Sequence, residues 1–452
     1  MKKVRLGAGS AFWGDMLEPA VEIAKKGNVK YLGFDHLAEL TMSILQRQKN
    51  KDPEMGYIRD IIPWMEALLP ISQPKGIKLI TNAGGVNPRS AAEQVAKVAK
   101  SLGFSGMKIA VIEGDDLYPK LDELIAKGVD FTNLDNGDKD IKKVRDRIIA
   151  ANVYIGSESI IEALEQGADV VIAGRCSDTA LYMGPIMYEF GWTFEKDYEK
   201  IAAAQIASHV IECAECATRG FNEWDKVKNV ANIGFPILEF SENGEAIIEK
   251  VPGSGGVVNE WSIKEQLMYE VHDPKNYIMP DGNADFTSIK LEDLGNDRVK
   301  LSDMTGKPRP EKLKVQIGYQ DGWIGEGQIY FSWPNAYQKA KQAEEIIRER
   351  FKAVKLEAEE IQFDYVGVNM LHGSVAPEPS ADLNEVGLRV VARTKTREEA
   401  AKIGREATHI WTLGGVGTAY GTPYRPRPVI SLWPTLIPRE EVKTTCTIKE
   451  VE

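Results

Sequence analysis

Two short strings gather side chains that can move protons and hold an anion: Asp35-His36 and Arg175-Cys-Ser-Asp178. The imidazole of His36 can give or take a proton near neutral pH, Asp35 can orient it or ligate a cation, and the guanidinium of Arg175 matches a carboxylate through two parallel hydrogen bonds. Glu113 is a second candidate for proton transfer, and Asp178 for orienting the transfer group or binding a divalent ion. Plainer readings stand beside these, with His36 as a hydrogen-bonded core histidine and Asp178 as the N-cap of a helix beginning at Thr179. A third string, Cys213-Ala-Glu-Cys216 with His209 before it, offers thiolates and an imidazole to a soft cation or an iron-sulfur cluster. Such a cluster would need Cys176 brought in from another strand end. Helical spacing puts His209, Cys213 and Cys216 on one face, where a buried helix equally accepts cysteine as a small apolar residue.

Glycine-rich strings surround these groups: Gly7-Ala-Gly-Ser10, Asn82-Ala-Gly-Gly85, Glu113-Gly-Asp-Asp116 and, further on, Pro252-Gly-Ser-Gly-Gly256. Glycine lets backbone N–H groups approach an anion, and a following helix N-terminus adds a favourable dipole. Gly9, Ser10, Asn82, Gly84, Gly85, Ser254 and Gly255 are therefore candidates for holding a small anionic organic substrate. The alternative is that these glycines only permit tight turns. The first string is no dinucleotide fingerprint, since Phe12 stands where a third glycine or an alanine is needed. No Gly-Lys-Ser/Thr ending makes a phosphate loop, so neither a nicotinamide nor an ATP motif is present.

The elements that must position these residues alternate. Apolar runs at Lys3–Leu6, Lys30–Phe34, Ile77–Ile80, Lys108–Ile112 and Asp169–Ala173 read as strands. Amphipathic stretches at Met16–Lys26, Ala38–Gln48, Ser90–Leu102, Leu117–Lys127 and Ser159–Gln166 read as helices, and Thr179–Ala217 is mostly helical. Helices between successive strands imply right-handed crossovers and a mainly parallel sheet, whose ligand crevice lies beyond the C-terminal strand ends. The candidate strings follow those strands, so five strand ends are expected to converge. From about Val230 the pattern changes to strands separated by Gly, Pro and Asn turns. Its latter half repeats a strand-helix unit, Lys314–Tyr319 with Ala336–Phe351 and then Gly387–Ala392 with Arg397–Thr408, which suggests a ferredoxin-like layer. The expected organisation is an α/β domain over 1–229 with a mainly parallel sheet and an α+β domain over 230–452.

Composition narrows the classes of partner. A chain of 452 residues, 43% hydrophobic and 27% charged, can bury more than one core. The net charge of −11, with no basic block to reverse it, repels phosphate backbones and anionic lipid, so nucleic acid and membrane surfaces are not expected partners. Neither a signal-peptide h-region nor a membrane-spanning apolar run is evident, and four cysteines in so long a chain do not resemble a disulfide framework. A cytoplasmic location is expected.

Several strings taken together resemble the acyclic terpene utilisation A family, AtuA, over nearly the whole chain. They are Gly7-Ala-Gly-Ser-Ala-Phe-Trp-Gly-Asp15, Asp35-His-Leu-Ala-Glu39 with Thr41-Met42, Asn82-Ala-Gly-Gly85, Gly174-Arg175, His209 with Glu212-Cys213, Pro252-Gly-Ser-Gly-Gly256 and Gly322-Trp-Ile-Gly325. The resemblance implies a setting in the breakdown of citronellol-type compounds through branched acyl intermediates. Longer relatives carry a further C-terminal unit of about one hundred residues, so the resemblance also implies a separate small subunit and an oligomer. Carboxylates, one histidine and one arginine on glycine-rich edges, with no redox-cofactor motif, suit addition or elimination of water. The expected function is a lyase of the hydratase/dehydratase type acting on a small branched carboxylic acid or its CoA thioester. In that picture Arg175 and the Asn82–Gly85 backbone hold the carboxylate and His36 or Glu113 moves the proton. The competing expectation is a noncatalytic binding or scaffold subunit. The separate small subunit would cover an apolar face between Trp411 and Trp433, whose side chains alternatively fill the second domain's own core or a homodimer contact.

Overall fold

The computed structural model describes residues 1–220, 224–421 and 424–452. Along the first half, β1 (Lys3–Ser10), α1 (Glu18–Lys26), β2 (Tyr31–Phe34), α2 (Thr41–Lys51), α3 (Ile61–Lys75), β3 (Lys78–Thr81), α4 (Pro88–Ser101) and β4 (Lys108–Glu113) follow one another. Next come α5 (Leu121–Ala126), β5 (Ile148–Val153), α6 (Glu158–Glu165), β6 (Val170–Ala173), α7 (Ala180–Phe190) and α8 (Tyr198–Glu212). Strands β1, β2, β3, β6 and β4 lie side by side in that order, each parallel to its neighbours. Every residue of β2 and β6 is buried, which is why these strands read as continuous apolar runs rather than alternating ones.

The chain then adds β7 (Pro236–Ser241), β8 (Ala246–Lys250), α9 (Glu260–Met268), β9 (Tyr277–Met279), β10 (Gly282–Asp285), β11 (Lys290–Asp293), β12 (Arg298–Ser302) and β13 (Thr305–Lys307). Strand β7 runs antiparallel along β1, and β8, β12 and β11 continue outward from it. A three-stranded sheet of β13, β10 and β9 lies against the alanine-rich α8.

The long strand β14 (Lys312–Ser332) leads into α10 (Ala336–Ala353), β15 (Glu360–Val366), β16 (Glu385–Thr394), α11 (Arg397–Leu413) and β17 (Thr418–Tyr420). The chain ends with β18 (Arg427–Pro438) and β19 (Thr445–Glu450). Strand β19 pairs antiparallel with β4 and closes the far side of a ten-stranded sheet.

The compact units are residues 1–318 with 432–452, and 319–431. This differs from the division at 229/230. Residues after 230 do have the turn-rich texture of a separate domain, but β7 hydrogen-bonds directly along β1, so they extend the first sheet. In the second unit the order β14-α10-β15-β16-α11-β17, with sheet order β15-β16-β14-β17 and antiparallel pairing throughout, is the ferredoxin-like βαββαβ arrangement. Its core is formed by Ile329 and Phe331, Val386, Leu388 and Val390, and the inward faces of α10 and α11 at Ala340, Ile347, Ile403 and Ile410. In the first half, α3 and β5 were not among the expected elements.

Candidate functional site

The five strand ends of the parallel sheet do meet, and hydrogen bonds tie them together inside the first unit. The Ser10 hydroxyl at the end of β1 donates to the Asp35 carbonyl after β2 at 2.8 Å. After β3, Asn82 accepts the His36 N–H at 2.9 Å and donates its amide to the Asp35 carboxyl. After β4, the Asp115 carboxyl accepts the Arg175 backbone N–H at 3.0 Å, and the Asn152 amide donates to it at 2.9 Å. The Arg175 guanidinium, after β6, donates to the carbonyls of Leu37 (2.9 Å) and Cys176 (2.7 Å) and to the Asp178 carboxylate.

This network assigns the predicted residues unequal positions. Arg175 is 2% exposed, and its donors serve the loops that carry Asp35 and Asp178. Burial opposes its charge, but Asp178, Tyr154 and Asp35 outweigh that effect and raise its pKa. Asp35 is buried behind the same loops. Its pKa stands well above the carboxylate range, first because of burial and then because of the Asp178 charge. Burial likewise lifts Asp115 to about 7. His36 is also 2% exposed and packs edge-on against Trp64 with centroids 5.2 Å apart. Burial lowers its pKa to about 4, so the imidazole is neutral at physiological pH. Glu113 pairs with Arg89 instead of joining this group.

Several N–H groups of the glycine-rich loops are engaged within the chain. The N–H of Gly85 bonds to Asn82, while those of Ser254, Gly255 and Gly256 bond to Val251, Asn232 and Lys228. A Cβ at Gly9 would lie 2.2 Å from the Phe34 ring, one at Gly84 2.5 Å from the Ala173 carbonyl, and one at Gly255 1.9 Å from the Asn229 carbonyl. Close packing therefore explains these glycines. The N–H groups of Gly85, Ser254, Gly255 and Gly256 are thus already committed to carbonyls of the chain.

A cleft of about 470 Å³ opens beside the network. Of the predicted residues, Asp178 lines it, with Ser177 next to it. The rest of its polar wall is Glu39 from the loop after β2, Tyr154 after β5, Glu270 and His272 after α9, Tyr277 on β9 and Lys314 on β14. Tyr154 presents its ring to two cations, the Arg175 guanidinium at 4.6 Å and the Lys314 ammonium at 5.0 Å. A larger depression of about 770 Å³ runs along α10 in the second unit. It is walled by surface groups such as Glu345, Arg348 and Glu349 and contains none of the strand-end residues, so the chemistry is assigned to the smaller cleft.

Behind Tyr277 lies a buried dyad. His209 Nδ1 is 2.8 Å from Glu212 Oε1, its Nε2 is 3.1 Å from the Gln266 carbonyl, and its ring is 5.5 Å from that of Tyr277. Glu212 Oε2 is buried with no hydrogen-bond partner. Burial holds the Glu212 carboxyl at about 7 despite His209, and the Asp178 and Glu270 charges add to the rise. Burial works against a charged His209, but the Glu212 carboxylate prevails and raises its pKa. With both nitrogens engaged, His209 is not turned toward Cys213 and Cys216. Cys176 is fully buried beside Arg175. Among the described residues no group of three His, Cys, Asp or Glu side chains is placed to hold one metal ion. The set Cys176, His209, Cys213 and Cys216 therefore does not fit a cluster.

Sequence reasoning thus found the loops but not most of the wall. Glu39 and Glu212 were within reach, since both stand in strings quoted above beside Asp35-His36 and His209. Lys314, Tyr154, Glu270, His272 and Tyr277 carried no local signal, because each is brought in by an element whose partner the sequence does not reveal.

The chain matches the model of a protein family described as acyclic terpene utilisation family protein AtuA over residues 4–448, and it belongs to that family. No curated protein and no solved structure matches it. Among the described residues no helix is long and apolar enough to cross a membrane.

Proposed function

We propose that this member of the family is a lyase of the hydratase/dehydratase type acting on a small branched carboxylic acid or its CoA thioester. The observation that carries the reading is the cleft itself, where Asp178, Glu270, Glu39, His272, Tyr154 and Tyr277 share one space with the Lys314 ammonium. Lys314 takes the role first assigned to Arg175 and attracts the substrate carboxylate or thioester carbonyl. Asp178, anchored by its pair with Arg175, removes the proton next to that carbonyl. Glu270 protonates the departing hydroxyl so that it leaves as water. The two proton transfers run in reverse for hydration. Negative charge building on the carbonyl oxygen during proton removal is stabilised by the ammonium.

The test is incubation of the purified chain in deuterated water with branched 2-enoic and 3-hydroxy acids, free and as CoA thioesters. Enoyl absorbance and deuterium incorporation next to the carbonyl are followed. Turnover is expected with at least one pair, falling about 100-fold or more in Asp178→Asn. Neither hydration, dehydration nor exchange with any pair overturns the reading. A noncatalytic subunit is the second reading, favoured by the exposure of Trp411, Leu413 and Val416 in the second unit; Trp433, at the other end of the expected face, is instead buried within the first unit and donates to the Phe131 carbonyl. Turnover that begins only when a second polypeptide of about one hundred residues is added decides for it.

A further inference from the structure

We propose that Cys213 and Cys216 form a redox-active dithiol that closes to an intramolecular disulfide by exchange with a small-molecule disulfide. Cys213 caps the C-terminus of α8, and the Cys216 N–H donates to its carbonyl at 2.9 Å across a single tight turn. Such a hydrogen-bonded turn keeps its first and fourth Cα atoms within about 7 Å. A disulfide spans about 4.4–6.8 Å between Cα atoms. Both thiols are free and half-buried, so a small reagent can reach them. Ala214 inside the turn has φ +40°, a conformation that an L residue keeps only when its surroundings impose it, so the loop is held rather than loose. The other two cysteines differ. Cys176 is enclosed beside Arg175, and Cys446 sits on β19 opposite Ile112.

The two sulfurs are unequal. The Cys213 thiol is raised by its interaction with Cys216 and then by burial, while the same interaction lowers Cys216 against the effect of its burial, with Arg219 assisting. In this proposal Cys216, the thiol on which the Arg219 charge acts, is the attacking thiolate. It displaces one thiolate from the small disulfide and forms a mixed disulfide. Cys213 then attacks the Cys216 sulfur, closes the ring and expels the second thiolate. Two protein thiols are oxidised, one small disulfide is reduced to two thiols, and the two protons released by the protein end on those thiols.

The experiment equilibrates the full chain with glutathione buffers of graded ratio, alkylates the remaining thiols and maps each cysteine by peptide mass spectrometry. A dithiol peptide in the same buffers reports that they oxidise an exposed pair. The expected result is a Cys213–Cys216 disulfide with Cys176 still alkylated only after unfolding. Cys213→Ser should trap glutathione on Cys216, whereas Cys216→Ser should acquire it at Cys213 at least about tenfold more slowly. Cys213 and Cys216 both alkylated in buffers that oxidise the control peptide overturn the proposal, as does glutathione found chiefly on Cys446. The wild-type measurement needs no variant to fold, so it decides the matter even if a serine substitution destabilises the turn.

Discussion

Asp178 joins structure and proposed chemistry, because it lines the cleft and is the counter-ion of a guanidinium that water does not reach. Removing it by Asp178→Ala strands the Arg175 charge, and a loss of about 3 kcal/mol in urea unfolding is expected. The double variant Arg175→Met with Asp178→Ala should recover part of that loss, since no uncompensated charge remains. Equal stability of the single variant and the wild type would show that the pair is not structural. Glu212 gives a prediction with a sign. Its folded pKa is about 7 against an ordinary 4.5, so between those values the folded state holds a proton that the unfolded state has released. Stability therefore falls as pH rises from about 4.5 to about 7. His209, whose pKa is also raised, adds stability below its ordinary 6.5 that is lost as pH rises through its folded value, in the same direction. Urea midpoints measured across that window should decline less steeply in Glu212→Gln. An unchanged slope contradicts the assignment.

At the scale of elements, close backbone approach decides which glycines matter. On β14, a Cβ at Gly325 would stand 2.0 Å from the Ala400 carbonyl of α11, and a backbone carbonyl cannot swing aside. Gly325→Ala is expected to cost the second unit about 3 kcal/mol, read as a lowered unfolding midpoint. Gly103 is the contrast, with φ +81° in open space, so Gly103→Ala should cost only about 1 kcal/mol for the left-handed backbone. Similar losses in the two variants would remove close approach as the explanation. The same reasoning explains the strand-end loops, where glycine brings β1 against Phe34 and the Asn82–Gly85 turn against β6, and so sets how tightly the strand ends meet.

For the whole molecule, the first sheet is completed by segments distant in sequence. β7 covers the edge of β1, and β19, the last strand, covers β4. A fragment ending at residue 229 therefore exposes two unpaired strand edges of an apolar sheet and should aggregate on size-exclusion chromatography. A fragment of residues 319–431 contains the complete set of core side chains from β14 to α11 and should unfold cooperatively in urea. A soluble, cooperatively folded 1–229 fragment would restore the division drawn from turn composition.

The strands and helices of the first half were legible because parallel strands buried on both faces write apolar runs, and their crossover helices write a helical period between them. The shared direction of those strands followed far enough to place Asp35, Asn82, Asp115 and Arg175 at one edge. Local pattern could not say that Arg175 would be consumed by Leu37, Cys176 and Asp178 or that His36 would lie against Trp64. Nor could it show that Lys314 and Tyr277 would form the opposite wall. The reason is physical: periodicity reports which face of an element avoids water, whereas a side chain's exposure and partners depend on segments hundreds of residues away that share the same space. Local residues thus specified the elements and the edge where they meet, and tertiary packing decided which polar groups at that edge face the cleft and which are enclosed behind it.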